Sequence, residues 1–515
     1  MRSHKRVQEF LEDVNEQIRY RPMCTAIDEE LVAHIEDKAE LYKEYGVEEE
    51  EAILRAVRDM GDATEIGLQM NAAHHTRICW PLFGMALAFI VLGVLGNLRD
   101  SLRFSSDLQA VAEGLWDSKY FLAGAVVLIV VMQYGYPFII RHVKKICIGY
   151  FVFSGMVLIW DSASVSLHNL FVNASVAFPF WLLPSPTIHF GMLLLAAPVF
   201  AVVAYRQRHK AVKGLWVTAL FVFVVMVSQG VSMYGNYIYM AVLALLLTFL
   251  IVLFYMCRKD YLDLPKKKAC GWVLALFLIL LCSFGVGEST GRAGYSTDGK
   301  TSLYRTMELF LTPERQATST WQDGYNAVLI KELLRQADVI GEIKLSQQEL
   351  FDYATGAWYY GENGKAEWSA STFVTFEKNM EYLLQFLDSE NVTLEDVLPQ
   401  SYHNNYRIAY WILKYGWLSG LLLMGAIAVF CVLLVRVSFR IRNRLGRLVA
   451  FAGSTCLLIQ YIFYVLGNVG HQFAWFGNLP FLSEGIVSIG VNGILLGLVL
   501  SAHRYDLVME EKLEN

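Results

Sequence analysis

The residues best placed to do chemistry fall in two short stretches. One is Tyr402-His403-Asn404-Asn405, with Arg407 two positions on; the other is Gly477-Asn-Leu-Pro480-Phe-Leu-Ser483-Glu-Gly485, preceded by Asn468-Val-Gly470 at the end of an apolar run. A histidine in water titrates near pH ~6.5, so His403 could exchange a proton with a hydroxyl. Asn404 and Asn405 can accept and donate hydrogen bonds but cannot take a proton. Arg407, and Arg305 further upstream, are cations able to neutralise an anionic group; pairing with the Asp and Glu around them is the plain alternative. Three more titratable residues, Asp161, His189 and Lys414, lie near the ends of apolar runs. Each either lines a polar cavity or snorkels to the membrane surface.

These groups are positioned by a very apolar chain. Of 515 residues, 55% are hydrophobic and only 18% charged, too apolar for an ordinary soluble protein of this length. Ten apolar runs, near 78–98, 119–140, 146–164, 187–205, 214–232, 236–256, 271–289, 408–436, 447–467 and 485–502, are each about long enough to cross a bilayer. Basic clusters fall in alternate loops: Arg141 to Lys145, Arg206 to Lys210, Arg258 to Lys268, and Arg436 to Arg447. The positive-inside rule makes these loops, and with them both termini, cytoplasmic. The connection from about 290 to 407 then faces out. It contains helix-like stretches and the aromatic-rich Trp358-Tyr-Tyr-Gly-Glu-Asn-Gly364, suited to carbohydrate or protein contact or to a small packed external domain. The turn at 477–485 joins two membrane segments, and irregular backbone at that depth is tolerated only where protein or a cavity surrounds it.

The first 76 residues read differently. Val7 to Arg19, Ile27 to Tyr45 and Glu48 to Met60 show apolar residues at three- and four-residue spacing among charges, and Gly46 and Gly61-Asp62 mark stops. A compact soluble helical bundle is expected there. That charged start contains no cleavable signal peptide. The net charge is −5 with no basic face interleaved with aromatics, which argues against a nucleic-acid partner. None of the eight cysteines has metal-ligand spacing, and none lies in the external loop, so no metal, no cofactor and no external disulfide are expected.

Two resemblances follow from these motifs. The pattern Glu30-Leu31-x-x-His34, Gly46-Val-Glu-Glu-Glu-Glu51-Ala52 and Met60-Gly61-Asp62-Ala63 is similar to the permease-prefix domain found ahead of some bacterial membrane proteins. From residue 78 onward the chain resembles the FtsW/RodA/SpoVE (SEDS) family. Asn468-x-Gly470 and Leu479-Pro480-Phe-x-Ser483-x-Gly485 look like its carboxy-terminal signature. Asn173-Ala-Ser with Trp181-Leu-Leu-Pro184-Ser185 is similar to its Asn-Gly-Ala…Trp…Gln-Pro-Ser-Glu stretch, with Pro186 in place of the Glu and His189 where the family usually has Lys. Leu303-Tyr304-Arg305, Phe310-Leu-Thr-Pro313, Gly324-Tyr325, Leu398-Pro399-Gln400 and Gly416-x-x-x-Gly420 look like its loop series.

The resemblance implies an all-α polytopic membrane protein of about ten spans in a bacterial cell membrane, behind a cytoplasmic bundle at 1–76. It implies peptidoglycan synthesis in division, cell shape or sporulation. The partners implied are the lipid bilayer, a lipid-linked peptidoglycan precursor and a transpeptidase of the class B penicillin-binding protein type. It also implies substrate-binding positions at Arg305, Arg407, Pro184, Ser185, His189, Asn468, Pro480, Ser483 and Gly485. The family's catalytic carboxylate, however, falls on Asn404 when counted from Leu398-Pro399 and on Asn405 when counted back from Gly416. Met233-Tyr-Gly235 and Leu413-Lys414 lack family carboxylates as well. Two functions remain open: a scaffold or regulator with weakened or lost glycosyltransferase activity, and an active polymerase with a rearranged site in which His403 substitutes as base. A precursor transporter is a third reading, without a broken-helix pair or repeat to support it.

Overall fold

The chain is described by a computed structural model over residues 4–18, 21, 24–73, 76–104, 108–173, 186–230, 235–291, 302–317, 323–360, 391–399, 402–472 and 477–508. Pro184, Ser185, Met233-Tyr234 and all of 361–390 lie outside them. The regular elements among the described residues are all helices, with no strand among them. The protein is an all-α polytopic membrane protein.

Four helices open the chain: α1 (Lys5–Glu16), α2 (Cys24–Glu44), α3 (Glu49–Met60) and α4 (Ala63–Ala73). Their apolar stripes, Val7, Leu11 and Val14 on α1 and Ile27, Leu31 and Ile35 on α2, meet in a core of their own, separate from that of the membrane bundle. Glu49, Glu50 and Glu51 occupy the first turn of α3, where the helix dipole favours negative charge.

Then come α5 (Trp80–Phe104), α6 (Leu108–Asp117), α7 (Lys119–Asn173), α8 (Pro186–Arg206), α9 (Ala211–Gly230), α10 (Gly235–Arg258) and α11 (Lys266–Gly291). Eight helices among the described residues are long and apolar enough to cross a membrane. They cover nine of the ten expected runs, because one continuous segment, Gly114–Val157, takes in two of them. At 1.5 Å per residue its 44 residues span about 66 Å, twice the hydrocarbon thickness of about 30 Å. The backbone leaves helical geometry at His142, inside the basic cluster that separates the two runs. The remaining expected run lies in α11.

The long connection after α11 contains α12 (Ser302–Leu311), α13 (Asp323–Gln336), α14 (Gln347–Thr355), α15 (Ala357–Tyr360), α16 (Leu394–Val397) and α17 (Tyr402–Asn405), and α18 (Arg407–Tyr415) follows it. Trp358 is packed rather than presented: its indole N–H donates to the Tyr325 hydroxyl at 2.9 Å, which donates to the Tyr353 carbonyl at 3.2 Å. Burial pushes the Tyr325 phenol up to about 12.

The expected run 408–436 is divided. Helix α18 ends at Gly416 (φ +90°), and the membrane helix proper, α19 (Trp417–Arg440), starts after it. The break is set by close backbone contact: a Cβ on Gly416 would stand 2.5 Å from the Val339 carbonyl oxygen. Around it Trp417 N–H donates to Asp338 O (2.9 Å) and Ile343 N–H to Leu413 O (2.8 Å). Lys414, on the segment so displaced, pairs with Glu342 (2.5 Å) and Glu395 (3.8 Å) of the long connection. Helix α20 (Arg444–Asn468) and the last helix, a π-turn at Ile486–Val491 continuing into α21 (Asn492–Arg504), complete the bundle. Helix α21 packs along the first half of α7 and against α20, placing the turn 477–485 beside α17 and α18.

Candidate functional site

The two stretches that the sequence sets about seventy residues apart meet in the folded chain. Asn468, the last residue of α20, is fully buried, and its side chain makes four hydrogen bonds. Its Oδ1 accepts from the Ile408 and Ala409 N–H groups, each at 3.0 Å; its Nδ2 donates to Asn405 O (3.0 Å) and Tyr464 O (2.9 Å). The first amides of a helix have no partner within it, so Asn468 caps α18 from another helix. The Tyr464 hydroxyl, one turn earlier on the same face, donates to Asn404 O at 2.8 Å and accepts from Arg407 N–H at 3.1 Å.

The turn closes on the other side of Asn404. The Ser483 hydroxyl donates to Asn404 O at 2.8 Å and accepts from Leu479 N–H at 3.2 Å. The Glu484 N–H donates to Asn404 Oδ1 at 3.0 Å, and Asn478 Nδ2 donates to Glu484 O at 2.7 Å. Pro480 presents its carbonyl to the Tyr461 hydroxyl (3.2 Å). Gly485, at φ +134°, lets the chain swing from this turn into the π-turn. Asn404 is therefore held through both its backbone carbonyl and its side-chain oxygen.

Arg407 is 3% exposed. Its Nε donates to His403 O at 2.6 Å and its Nη1 to Leu482 O at 2.9 Å, so the guanidinium bridges the two stretches. Gly96 on α5 makes room: a Cβ there would stand 2.9 Å from Arg407 Nη1. His403, Arg407 and Arg99, with Gly96 and Trp411, line a cavity of about 270 Å3. Its charged lining residues, Arg99 and Arg407, are both cations, and Arg99 also lies over the Tyr415 ring at 5.3 Å. Such a hollow suits an anionic oxygen group.

A larger cavity of about 510 Å3 lies on the other side of the turn, lined by Phe153, Ile188, Met192, Gln460, Asn478 and Gly485 among others. It is mostly apolar. At its wall Gln460 of α20 and Asn492 of α21 exchange two hydrogen bonds, at 2.8 and 3.0 Å. His189 is fully buried in α8. Arg305 sits on the exposed side of α12 and lines neither cavity. Among the described residues no cluster of three or more His, Cys, Asp or Glu could hold a metal ion.

Comparison with protein-family models gives no match, and comparison with curated proteins gives none. Among solved structures the chain is similar to one described as "Structural coordination of polymerization and crosslinking by a peptidoglycan synthase complex". The match covers 83% of this chain and 98% of that chain, at 14% identity and a TM-score of 0.47.

Tyr464, Gln460 and Asn492 escaped the sequence reading. Tyr464 and Asn468 are four apart on one helix face, a spacing that would have paired them. Gln460 and Asn492 are uncharged polar residues inside apolar runs, where an unpaired amide is costly, and that cost is a signal. Glu484 was visible within the turn but had no assigned partner. Only the fold brings its backbone to Asn404.

Proposed function

We propose that the chain is a SEDS-like integral membrane protein of bacterial peptidoglycan synthesis, acting in division, cell shape or sporulation beside a transpeptidase, with glycan polymerisation weakened or lost. The SEDS resemblance supports the process. The state of Asn404 supports the loss: it is one of the two asparagines, with Asn405, on which the family's carboxylate position falls, and its Oδ1 already accepts the Glu484 N–H. It cannot take a proton from an attacking hydroxyl, and its hydrogen bonds make it a pin between α17 and the turn. In this reading the apolar cavity takes a lipid tail, the cationic hollow takes the attached phosphate groups, and the retained groove serves binding rather than turnover. The amino-terminal bundle would be a cytoplasmic prefix domain that recruits partners. A truncation lacking residues 1–76 that leaves localisation and partner binding unchanged would remove that part of the proposal.

A second reading rests on Glu484. Glu484 of the 477–485 turn meets Asn404 through its backbone N–H, and an active polymerase could use its carboxylate, or His403, as base. Polymerisation of a labelled lipid-linked disaccharide by the purified protein, with and without a transpeptidase, separates the two. The first reading expects no polymer from the unmodified protein and polymer, if any, only from Asn404→Asp. Polymer from the unmodified protein that disappears in Glu484→Gln or His403→Ala would establish the second.

A further inference from the structure

Two adjacent large apolar side chains, Val339 and Ile340, stand 70 and 72% exposed at the tip of a turn in the long connection. Turn tips in water favour Gly, Pro, Asn, Asp and Ser, and a Val-Ile pair has nothing to gain from solvent. The exposure does not come from a loose segment. Gly341 turns the chain at φ +96°, and Asp338 and Lys344 pair across the base of the turn at 3.4 Å. The backbone is then held to residues 413–418 at four points. The Asp338 and Val339 carbonyls accept the Trp417 and Leu418 N–H groups at 2.9 and 3.0 Å, while the Gly341 and Ile343 N–H groups donate to Tyr415 O and Leu413 O at 3.1 and 2.8 Å.

These bonds fix the depth of the tip. Trp417 and Leu418 open α19, whose 24 residues are long and apolar enough to cross a membrane. The first amides of a helix have no partner within it, and here the turn supplies two of the acceptors, so the tip stands level with the first turn of a membrane helix. Leu418, Leu421 and Leu422, spaced three and four apart on one face of α19, are all exposed. In a bilayer such a face meets acyl chains, and the tip continues it, because Leu418 is the residue bonded to Val339. Charges bound the apolar pair on both sides, Asp338 before it and Glu342 and Lys344 after it. Trp417, whose indole N–H donates to Leu334 O at 3.2 Å, belongs to the residue type that sits at membrane–water boundaries. Two apolar residues between charges match the narrow margin where headgroups give way to acyl chains. A second membrane helix would favour small residues that allow close approach, and beside the tip α19 presents leucines.

We propose that Val339 and Ile340 form a wedge seated in the acyl-chain margin of the lipid bilayer. Its seating holds the 338–343 segment, and through it the long connection, on the start of α19.

The test places benzoylphenylalanine, which on illumination couples to nearby C–H bonds, at position 340 of the full-length protein. The protein is illuminated in vesicles of phosphatidylglycerol and phosphatidylethanolamine and in the membranes of the cells that express it, and adducts are identified by mass spectrometry. Positions 422, on the exposed face of α19, and 344, beyond the turn, are the references. Position 340 is expected to give lipid adducts at a yield close to that of 422 and roughly ten-fold above that of 344. A yield at 340 no higher than at 344 overturns the proposal, and so does a dominant adduct with another protein in the cell membranes. If the 340 variant does not fold, the probe goes to 339 with the same outcomes. The holding role is read by amide hydrogen exchange of the protein in vesicles. Val339→Ser/Ile340→Ser should speed exchange at 341–343 roughly ten-fold, since the turn then loses the burial of two apolar side chains. Unchanged exchange overturns that role.

Discussion

Replacing Asn468 by alanine should unfasten α18 while leaving the membrane bundle in place. The side chain supplies the acceptor for two helix-start amides, Ile408 and Ala409, in a region with no access to solvent. A buried donor left without an acceptor costs about 1–3 kcal/mol, so two give about 2–4 kcal/mol after partial relaxation. At about 1.4 kcal/mol per decade, this raises the open population of the helix start roughly 30- to 700-fold. Amide hydrogen exchange followed by mass spectrometry on peptides covering 402–415 reads that population directly, with peptides from α20 as internal reference. Asn468→Asp separates the acceptor from mere side-chain volume. It keeps oxygens facing Ile408 and Ala409 and should preserve much of their protection, while losing the donor to Asn405 O and Tyr464 O. Exchange at 408–409 that is unchanged in Asn468→Ala would refute the capping argument. It would also remove the reason for treating Asn468 as a structural link between the two stretches.

Other outcomes follow from the same geometry. Gly416→Ala should destabilise by about 2–4 kcal/mol, because φ +90° strains any L side chain and the new methyl meets the backbone of 339–340; a thermal melt in detergent reads it. Gln460→Leu and Asn492→Leu should each cost roughly 1 kcal/mol by orphaning the partner amide, and the double variant less than the sum. Acid should loosen the start of α14. There the Ser346 backbone N–H and hydroxyl hold the Glu349 carboxyl below its ordinary value. A lowered folded pKa means this contribution is present above the unfolded value of about 4.3 and is lost as pH falls through the folded one. Protection at 346–349 relative to Ser346→Ala should shrink over that window.

The helical, membrane-spanning character was legible in the sequence because it depends on composition and period alone. Long apolar runs must become helices in lipid, where every backbone group needs an internal partner, and the charged runs before residue 76, with apolar residues three and four apart, can form surface helices whatever lies beside them. Boundaries were legible only where local chemistry sets them. The basic break at Arg141–Lys145 was visible, but the resumption of the helix directly across a single kink at His142 was not. The start of α19 at Trp417 depends on the backbone of 338–343 pressing on Gly416, a contact between segments some seventy-five residues apart.

The candidate site divides in the same way. Which residues could accept, donate or carry charge is a property of side-chain type, and so it was readable without the fold that Asn404 and Asn405 are amides, which cannot take a proton, and that Asn468, Ser483 and Arg407 are polar groups near the ends of apolar runs. Only the tertiary structure decided that Asn468 is occupied in capping α18, that Arg407 joins His403 to Leu482, that Glu484 reaches Asn404, and that Arg305 stands apart on α12. The physical reason is that a hydrogen bond holds over about 3 Å. Which donor finds which acceptor depends on how helices distant in sequence pack, and periodicity within one helix says nothing about its neighbour.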